Sequence, residues 1–283
     1  MTKNHLALQT EIESLNQDNS SSQAIGIFDS GIGGLSIAQC IAESLPNETF
    51  IYVADSLFAP YGDKSSVTII DRVNKLADWL IEQNVKAIVV ACNTATVIAI
   101  EQLRSRVSIP IIGVEPAIKP AAQKSITQKI ALLVTEATAI NHRFLALVDK
   151  HKNSTEVFIQ PCIGLVDLIE QGLHDSEQCR KILNAFLSPL IHKDIDTLVL
   201  GCTHYPFVRS MIKEIVGDKI SIVETAKPVT DQLARQLENH GLLASHSNTS
   251  KQTFFSSKIS QEQASLMSTF FGQTISLQQL PKI

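Results

Sequence analysis

The chain has 283 residues, of which 44% are hydrophobic and 18% are charged, and its formal net charge is -4. This composition is typical of a globular protein with one large domain or two modest ones, and it argues against a basic surface for nucleic acid. The five cysteines include no CxxC pair. The sequence therefore indicates neither a disulfide framework nor a zinc site, and free thiols fit a reducing cytosol.

The N-terminal segment is polar and shows no targeting signal. Residues 1–23 lack the basic start and the apolar run of a signal peptide. No stretch of about 18 consecutive apolar residues follows, so we expect no membrane-spanning helix and no membrane partner. We predict a cytoplasmic protein with a mobile tail over residues 1–23, in which residues 6–15 could form a short helix.

From residue 24 onward, short apolar runs alternate with amphipathic stretches such as 67–83, whose apolar residues share one helical face. The runs are rich in Val and Ile and are often flanked by Gly or Pro, as strands are. The predicted strands are 24–29, 49–55, 87–92, 110–115, 129–135, 156–160, 197–202, 221–225 and 253–257. Ser260 then opens a predicted helix with a capping box. Such alternation predicts an α/β fold with parallel sheets covered on both faces, and ligands bind such sheets at the carboxyl ends of their strands.

A short internal repeat, called the echo below, is the most informative feature of the sequence. Residues 88–94 read Ile-Val-Val-Ala-Cys-Asn-Thr, and residues 198–204 read Leu-Val-Leu-Gly-Cys-Thr-His. Both place a cysteine at the end of an apolar strand, and Cys92 and Cys202 lie 110 residues apart, about the size of a small α/β domain. The echo predicts two similar domains whose thiols face each other across one cleft.

Two opposed thiols supply a base on one face of a carbon atom and an acid on the other. Each cysteine precedes a predicted helix, whose dipole favours the thiolate. The alternative is that both are buried core cysteines, the usual fate of a free cysteine. Two thiols in matching contexts favour a functional site. Cys40, Cys162 and Cys179 have no such context, so we assign them to the core or the surface.

Other polar residues near strand ends leave several interpretations open. The turn over residues 29–35 is a plain tight turn, an anion site at a helix N-terminus, or a support through which Asp29 positions or polarises a thiol. It matches neither a dinucleotide-binding motif nor a P-loop. His204 is placed to pair with the Cys202 thiolate, whereas Glu170 alone looks like a solvated helix-end carboxylate. No strand-end lysine and no metal-ligand cluster occurs, so the sequence implies no cofactor and no metal.

Five motifs together resemble those of the glutamate racemases, within the aspartate/glutamate racemase family. They are residues 28–35, 60–62, 91–95, 113–117 and 200–206, and the resemblance runs in order from about residue 24 to residue 243. It implies two flavodoxin-like, doubly wound parallel-sheet domains related by a pseudo-twofold axis. The first domain would comprise residues 24–116 with 226–283 and the second residues 117–225, with the active site in the cleft between them.

The resemblance also implies an activity and a set of site residues. The activity is cofactor-independent interconversion of L-glutamate and D-glutamate, which supplies D-glutamate for peptidoglycan and so for cell wall biogenesis and cell shape. Cys92 and Cys202 would be the acid–base pair, Asp29 would assist Cys92, and His204 and Glu170 would assist Cys202. The implied substrate-binding residues are Asp29, Ser30, Tyr61, Gly62, Asn93, Thr94, Thr203 and His204.

Two positions depart from the family pattern. Glu224-Thr225-Ala226 stands where relatives often carry Asp before a small residue, which puts a cleft-side contact in doubt. Ala137 replaces a glycine, which puts Thr138 in doubt as a substrate contact. The implied partners are the activator UDP-N-acetylmuramoyl-L-alanine, a second copy of the chain in a homodimer, and DNA gyrase.

Two competing functions remain. One is an aspartate racemase or a decarboxylase of the same fold, although loss of a thiol would favour a decarboxylase and both thiols are present. The other is a two-lobed amino-acid-binding protein without catalysis. Residues 201–206 resemble the glutamate enzymes more than the sister enzymes. Circular dichroism of L-glutamate or D-glutamate with the purified protein and no cofactor separates the racemase from the binding protein.

Overall fold

The computed structural model describes residues 20–245 and 249–283, and within them ten β-strands form two sheets. The helix predicted over residues 6–15 lies outside the described residues. In chain order the strands are β1 Ile25–Asp29, β2 Phe50–Ala54, β3 Ala87–Val90, β4 Ile111–Gly113, β5 Lys129–Val134, β6 Glu156–Pro161, β7 Thr197–Leu200, β8 Ser221–Val223, β9 Gln252–Ser256 and β10 Leu277–Gln279.

Helices lie between the strands along the chain. In chain order they are α1 Leu35–Ser44, α2 Ser66–Glu82, α3 Asn93–Arg106, α4 Ile118–Lys124, α5 Glu136–Ala139, α6 His142–His151, α7 Leu165–Glu170, α8 Glu177–Ile191, α9 Arg209–Val216, α10 Ala226–Asn239 and α11 Gln261–Phe271. Two short 3₁₀ helices, Tyr61–Asp63 and Tyr205–Val208, follow β2 and β7. In the part of the chain that the structure describes, no helix meets the length and hydropathy that a membrane span requires.

The two sheets repeat one topology. The first has the order β10-β9-β2-β1-β3-β4 and the second β6-β5-β7-β8, and every pairing is parallel. The run β2-β1-β3-β4 therefore matches β6-β5-β7-β8, which is the flavodoxin-like order. This confirms the predicted fold class, and it places β3 and β7, the strands of the echo, at equivalent positions.

The central strands are buried along their whole length, which explains their continuous apolar sequences. Every residue of β1, β3 and β7 is buried, as expected for parallel strands covered on both faces. Helix α2 is one of the helices that cover the first sheet. Ser65 caps its N-terminus by accepting the Thr68 N–H. Its apolar face packs on the first sheet through Ile69, Val73, Leu76 and Leu80, which are buried.

Two details differ from the sequence-based expectation. The strands before the thiols end two residues early, at Val90 and Leu200, so Cys92 and Cys202 lie beyond the ladder. Strand β10 was not predicted, because its three residues include only one apolar side chain and it forms the edge of the sheet.

The strands of the first sheet lie in residues 25–113 and 252–279 and those of the second in 129–223. We retain the domain division at residues 116/117 and 225/226 as a proposal.

A buried ion pair joins segments at the amino end of the first sheet, opposite the thiols. Lys86 Nζ lies 2.6 Å from Glu48 Oε2, and both side chains are buried. Lys86 Nζ also donates to the carbonyl of Leu242 at 2.8 Å, and Glu48 Oε1 accepts the Ala244 N–H at 2.8 Å. Burial lowers the pKa of Lys86, and the Glu48 carboxylate opposes that shift. The pair thus connects the start of β3 to the chain that follows α10.

We predict that Lys86→Met destabilises the fold by about 3–5 kcal/mol, because it leaves Glu48 as a buried carboxylate without its cation. The double variant Glu48→Gln/Lys86→Met should recover part of that loss, and urea unfolding would measure both. Lys75→Met is the matched control, since Lys75 forms an exposed pair with Asp71 worth less than about 1 kcal/mol. Equal losses in the two lysine variants would contradict the prediction.

Candidate active site

One buried cavity brings the two thiols of the echo together. It lies where the carboxyl ends of the two sheets face each other, with Cys92 after β3 and Cys202 after β7. The residues that line it are Ser30, Pro60, Tyr61, Gly62, Cys92, Asn93, Thr94, Thr135, Val166, Cys202, Thr203 and His204. All the predicted site residues except Asp29 and Glu170 are on this wall, and those two carboxylates lie directly behind it.

The cavity is narrow in this arrangement. Its free volume is about 10 Å³, room for a single water molecule. The space for a dicarboxylic amino acid that the family resemblance implies is therefore not present between the thiols, and the cavity must widen before such a molecule can bind. A larger cavity of about 620 Å³ lies on the far side of Glu170, between α7 and α11, but neither thiol lines it.

Cys92 lies in an acidic, desolvated environment. Its thiol donates to Ser30 Oγ at 3.8 Å and accepts the Ala95 N–H at 3.4 Å. Burial raises the pKa of Cys92 well above its usual value, the nearby Asp29 carboxyl raises it further, and the Ala95 N–H only partly offsets both. The expected lowering by the helix N-terminus is therefore present at Cys92, through the Ala95 N–H, but desolvation outweighs this one donor and favours the neutral thiol.

Asp29 is the last residue of β1 and holds the following turn. Its Oδ2 accepts the N–H groups of Gly34 at 2.8 Å and Gly31 at 3.4 Å, while Glu170 accepts the Ile32 N–H at 2.8 Å. Burial raises the pKa of Asp29, and His204 lowers it in part. Because protein carboxylates already occupy these three donors, the turn does not present them to a bound anion.

Cys202 lies beside a charged imidazole. Its Sγ is 3.8 Å from His204 Nδ1, and His204 Nε2 is 2.7 Å from Glu170 Oε1. Burial lowers the pKa of His204, but the hydrogen bonds with Cys202 and Glu170 raise it by more, so that it ends well above its ordinary value. The imidazolium stabilises negative charge on the Cys202 sulfur. The two thiols thus have opposite electrostatic surroundings.

The cavity floor supplies polar groups for an amino acid. Asn93 is buried, and its Oδ1 has no hydrogen-bond partner among the described residues, so it can accept from an ammonium group. Thr94 Oγ1 lies 2.9 Å from Thr135 Oγ1, which links the two sheets. Sequence reasoning missed Thr135, although β5 is the topological equivalent of β1 and its end was a place to look. Thr138 lies behind Thr135, at 3.0 Å between hydroxyls, and off the wall.

The hydroxyl of Tyr61 does not face the cavity, although Tyr61 was predicted to bind the substrate. Its hydroxyl donates to Asp55 Oδ2 at 2.6 Å, so it points away from the cavity. Arg72 holds the same carboxylate through two hydrogen bonds of 2.9 Å, and its guanidinium lies 4.1 Å over the ring of Phe58. Sequence reasoning missed Asp55 and Arg72, because their pairing depends on the fold. Tyr61 and Gly62 therefore present ring and backbone to the cavity, on a braced loop.

The remaining candidates lie off the cavity wall. Glu224 pairs with Arg209 at 3.0 Å. Burial raises the pKa of Cys162 to about 12, Cys179 is also buried, and Cys40 is half-buried. Among residues 20–245 and 249–283, no three His, Cys, Asp or Glu side chains are grouped as metal ligands would be.

Comparison with known proteins shows the family of the chain. Residues 26–233 match the family model of Asp/Glu/hydantoin racemases, and the chain belongs to that family. The glutamate racemase of Pseudomonas aeruginosa PAO1 is 40% identical over 92% of this chain and 98% of its own. These findings confirm the predicted family and the isomerase class.

Two solved structures share the fold. Glutamate racemase from Francisella tularensis in complex with D-glutamate has a TM-score of 0.82 and 30% identity, covering 92% of this chain and 98% of that chain. Escherichia coli glutamate racemase in complex with L-glutamate and the activator UDP-MurNAc-Ala has a TM-score of 0.80 and 28% identity, covering 91% and 98%.

We predict that the His204 imidazole titrates well above pH 6.5, and that Glu170→Gln lowers its pKa because the neutral amide no longer stabilises the imidazolium. The raised pKa stabilises the fold fully below the unfolded value of about 6.5, and this contribution is lost as the pH rises through the folded value. NMR titration with ¹³C-labelled histidine would measure the shift, with His204→Gln to assign the resonance. A midpoint at or below 6.5 in the unsubstituted protein would refute it.

Proposed function

We propose that this protein interconverts L-glutamate and D-glutamate without a cofactor, using Cys92 and Cys202 as acid and base on opposite faces of the α-carbon. One observation carries the proposal: thiols from equivalent strands of two sheets line the same buried cavity, with opposite electrostatic surroundings. The similarity to glutamate racemases over nearly the whole chain supports glutamate as the substrate.

The surroundings of the two thiols suggest a starting role for each. Cys202, 3.8 Å from the His204 imidazole, is the base for L-glutamate, and Cys92, buried beside Asp29, is the acid because its pKa is raised. Starting from L-glutamate, the Cys202 thiolate removes the α-proton and the Cys92 thiol returns a proton to the opposite face. The C–H bond breaks on one side and forms on the other, which leaves D-glutamate, a Cys202 thiol and a Cys92 thiolate. The reverse reaction runs from that second state.

The negative charge that develops when the α-proton leaves is spread onto the α-carboxylate, so fixed donors around it lower the barrier. We assign the substrate ammonium to Asn93 Oδ1 and the carboxylates to the hydroxyls of Ser30, Thr94 and Thr203 and the backbone at Gly62. A buried cavity strengthens each of these contacts. The cavity must widen before substrate binds, because its free volume is about 10 Å³.

The biological setting is also proposed. We infer that the D-glutamate supplies peptidoglycan synthesis in the cytoplasm and so supports cell shape. We also infer that UDP-N-acetylmuramoyl-L-alanine activates the protein, since the E. coli relative was solved with that type of activator. The homodimer and the contact with DNA gyrase stay predictions.

Circular dichroism of L-glutamate or D-glutamate with the purified protein and no added cofactor tests the activity, and we predict decay of the signal to zero from either enantiomer. Cys92→Ala and Cys202→Ala should each abolish it, because each removes the acid or the base on one face. Cys179→Ala, a buried thiol outside the cavity, is the matched control. No decay at high protein concentration would favour the binding protein, and decay of aspartate alone would favour the sister racemase.

Each single-thiol variant should keep one half-reaction. Cys92→Ala retains the base for L-glutamate and Cys202→Ala the base for D-glutamate. A glutamate analogue that eliminates a leaving group after deprotonation would reveal this remaining proton removal. Full racemase activity in either variant would rule out the mechanism.

In heavy water, each enantiomer should yield its mirror image carrying deuterium at the α-carbon. The donating thiol lies on the far face and exchanges its hydrogen with solvent, whereas a single base acting on both faces returns the proton of the substrate. ¹H NMR of the product at early times measures the retained proton. A product that largely keeps the original proton would contradict the two-thiol scheme.

A further inference from the structure

The turn between β1 and α1 in the first sheet lies directly on the Cys202 side of the site. Glu170, the last residue of α7, receives two N–H groups at the same oxygen, Oε1. His204 Nε2 lies 2.7 Å away and belongs to the second sheet, whereas the Ile32 N–H lies 2.8 Å away and belongs to the first. One carboxylate oxygen therefore connects the imidazole beside Cys202 to the opposite half of the molecule.

The glycines of this turn are required by contact and not by backbone conformation. Neither Gly31 nor Gly33 is among the residues with positive φ. A Cβ atom at Gly31 would lie 1.8 Å from Glu170 Oε1, and one at Gly33 would lie 2.3 Å from His204 Nδ1. Distances this short cannot be accommodated without moving the carboxylate or the imidazole. The Glu170 carboxylate and the His204 imidazole therefore pack directly against the backbone of Gly31 and Gly33.

A third contact joins the same turn to the segment that carries Cys202. Ser36, in the first turn of α1, donates through Oγ to the carbonyl of Thr203, the residue after Cys202, at 3.1 Å. It shares that hydrogen with the Gly33 carbonyl at 2.9 Å. Backbone and side-chain groups of residues 31–36 therefore contact Glu170, His204 and the Cys202 segment together.

We propose that residues 31–36 are the positioning element for the Cys202 acid–base group. The inference rests on the proposed function. Cys202, His204 and Glu170 all lie in segments that follow strands of the second sheet, whereas residues 31–36 follow β1 of the first. The Ile32 N–H and the backbone at Gly31 and Gly33 hold the Glu170 carboxylate and the His204 imidazole in place, and the Ser36 hydroxyl holds the Thr203 carbonyl next to Cys202. Contact with the first sheet therefore sets the geometry of the base for L-glutamate.

Gly31→Ala is the direct test, because its Cβ displaces Glu170 while leaving every reacting atom in place. We expect kcat to fall about 100-fold, as a displacement near 1 Å costs in other sites, with little change in KM. Without Glu170 the pKa of His204 falls, so the alkaline limb of the pH profile of kcat should move to lower pH. Gly26→Ala is the matched control, since the atoms nearest to its Cβ belong to the buried side chain of Leu80, at 3.0–3.3 Å, and not to a site residue; its pH profile should not move.

A double-mutant cycle separates positioning from a general packing defect. If Gly31→Ala acts through Glu170, it should cost no more than about twofold in a Glu170→Ala background, where the colliding carboxylate is absent. Independent, multiplicative losses would overturn the inference, as would an unshifted pH profile. Absence of racemisation in the unsubstituted protein would instead overturn the proposed function.

Ser36 keeps the inference testable if Gly31→Ala does not fold. Ser36→Ala removes the hydroxyl donor to the Thr203 carbonyl, and we expect kcat/KM to fall about fivefold, the equivalent of one hydrogen bond. Ser36→Thr keeps the hydroxyl and should restore the activity. Unchanged activity in Ser36→Ala would contradict the positioning role.

Discussion

A parallel strand that is buried on both faces can present reactive side chains only at its ends. Strands β3 and β7 are both of this kind, since each of their residues is buried, and each leads directly into one of the two thiols. The other features of the site follow from this constraint. The carboxyl ends of the two sheets must face each other for the thiols to meet, and the connections after β1, β2 and β5 then form the walls.

Burial also decides the chemistry of the two thiols. Removing a thiol from water opposes its ionisation, and a nearby carboxyl opposes it further, so Cys92 keeps its proton. Cys202 has the His204 imidazole as its neighbour instead, and hydrogen bonds raise the pKa of that imidazole despite its burial. The repeated fold therefore supplies equivalent positions for two like groups, and the unlike neighbours Asp29 and His204 give them different surroundings.

Much of this arrangement could be predicted from the sequence because it is local. The strands, the glycine-rich turn and the two Cys-centred motifs are each contiguous, and the echo fixes which strands are equivalent. The contacts that need the whole fold could not be predicted. Asp55, Arg72 and Tyr61 are brought together from separate segments, and Thr135 becomes part of the wall only when the sheets face each other. The protonated state of Cys92 was also missed, because a helix start is visible in a sequence and the extent of desolvation is not.

The unlike surroundings of the two thiols have a consequence for any substrate that exists as mirror images. Two enantiomers have the same free energy in achiral water, so an enzyme that interconverts them has an equilibrium constant of one. A site with one thiol beside an imidazole and the other beside a carboxyl is itself strongly handed, and each of its two protonation forms serves one enantiomer. That difference cannot favour either product at equilibrium. It appears instead as unequal occupancy of the two forms of the protein, free or with substrate bound, which differ by the sulfur that carries the proton.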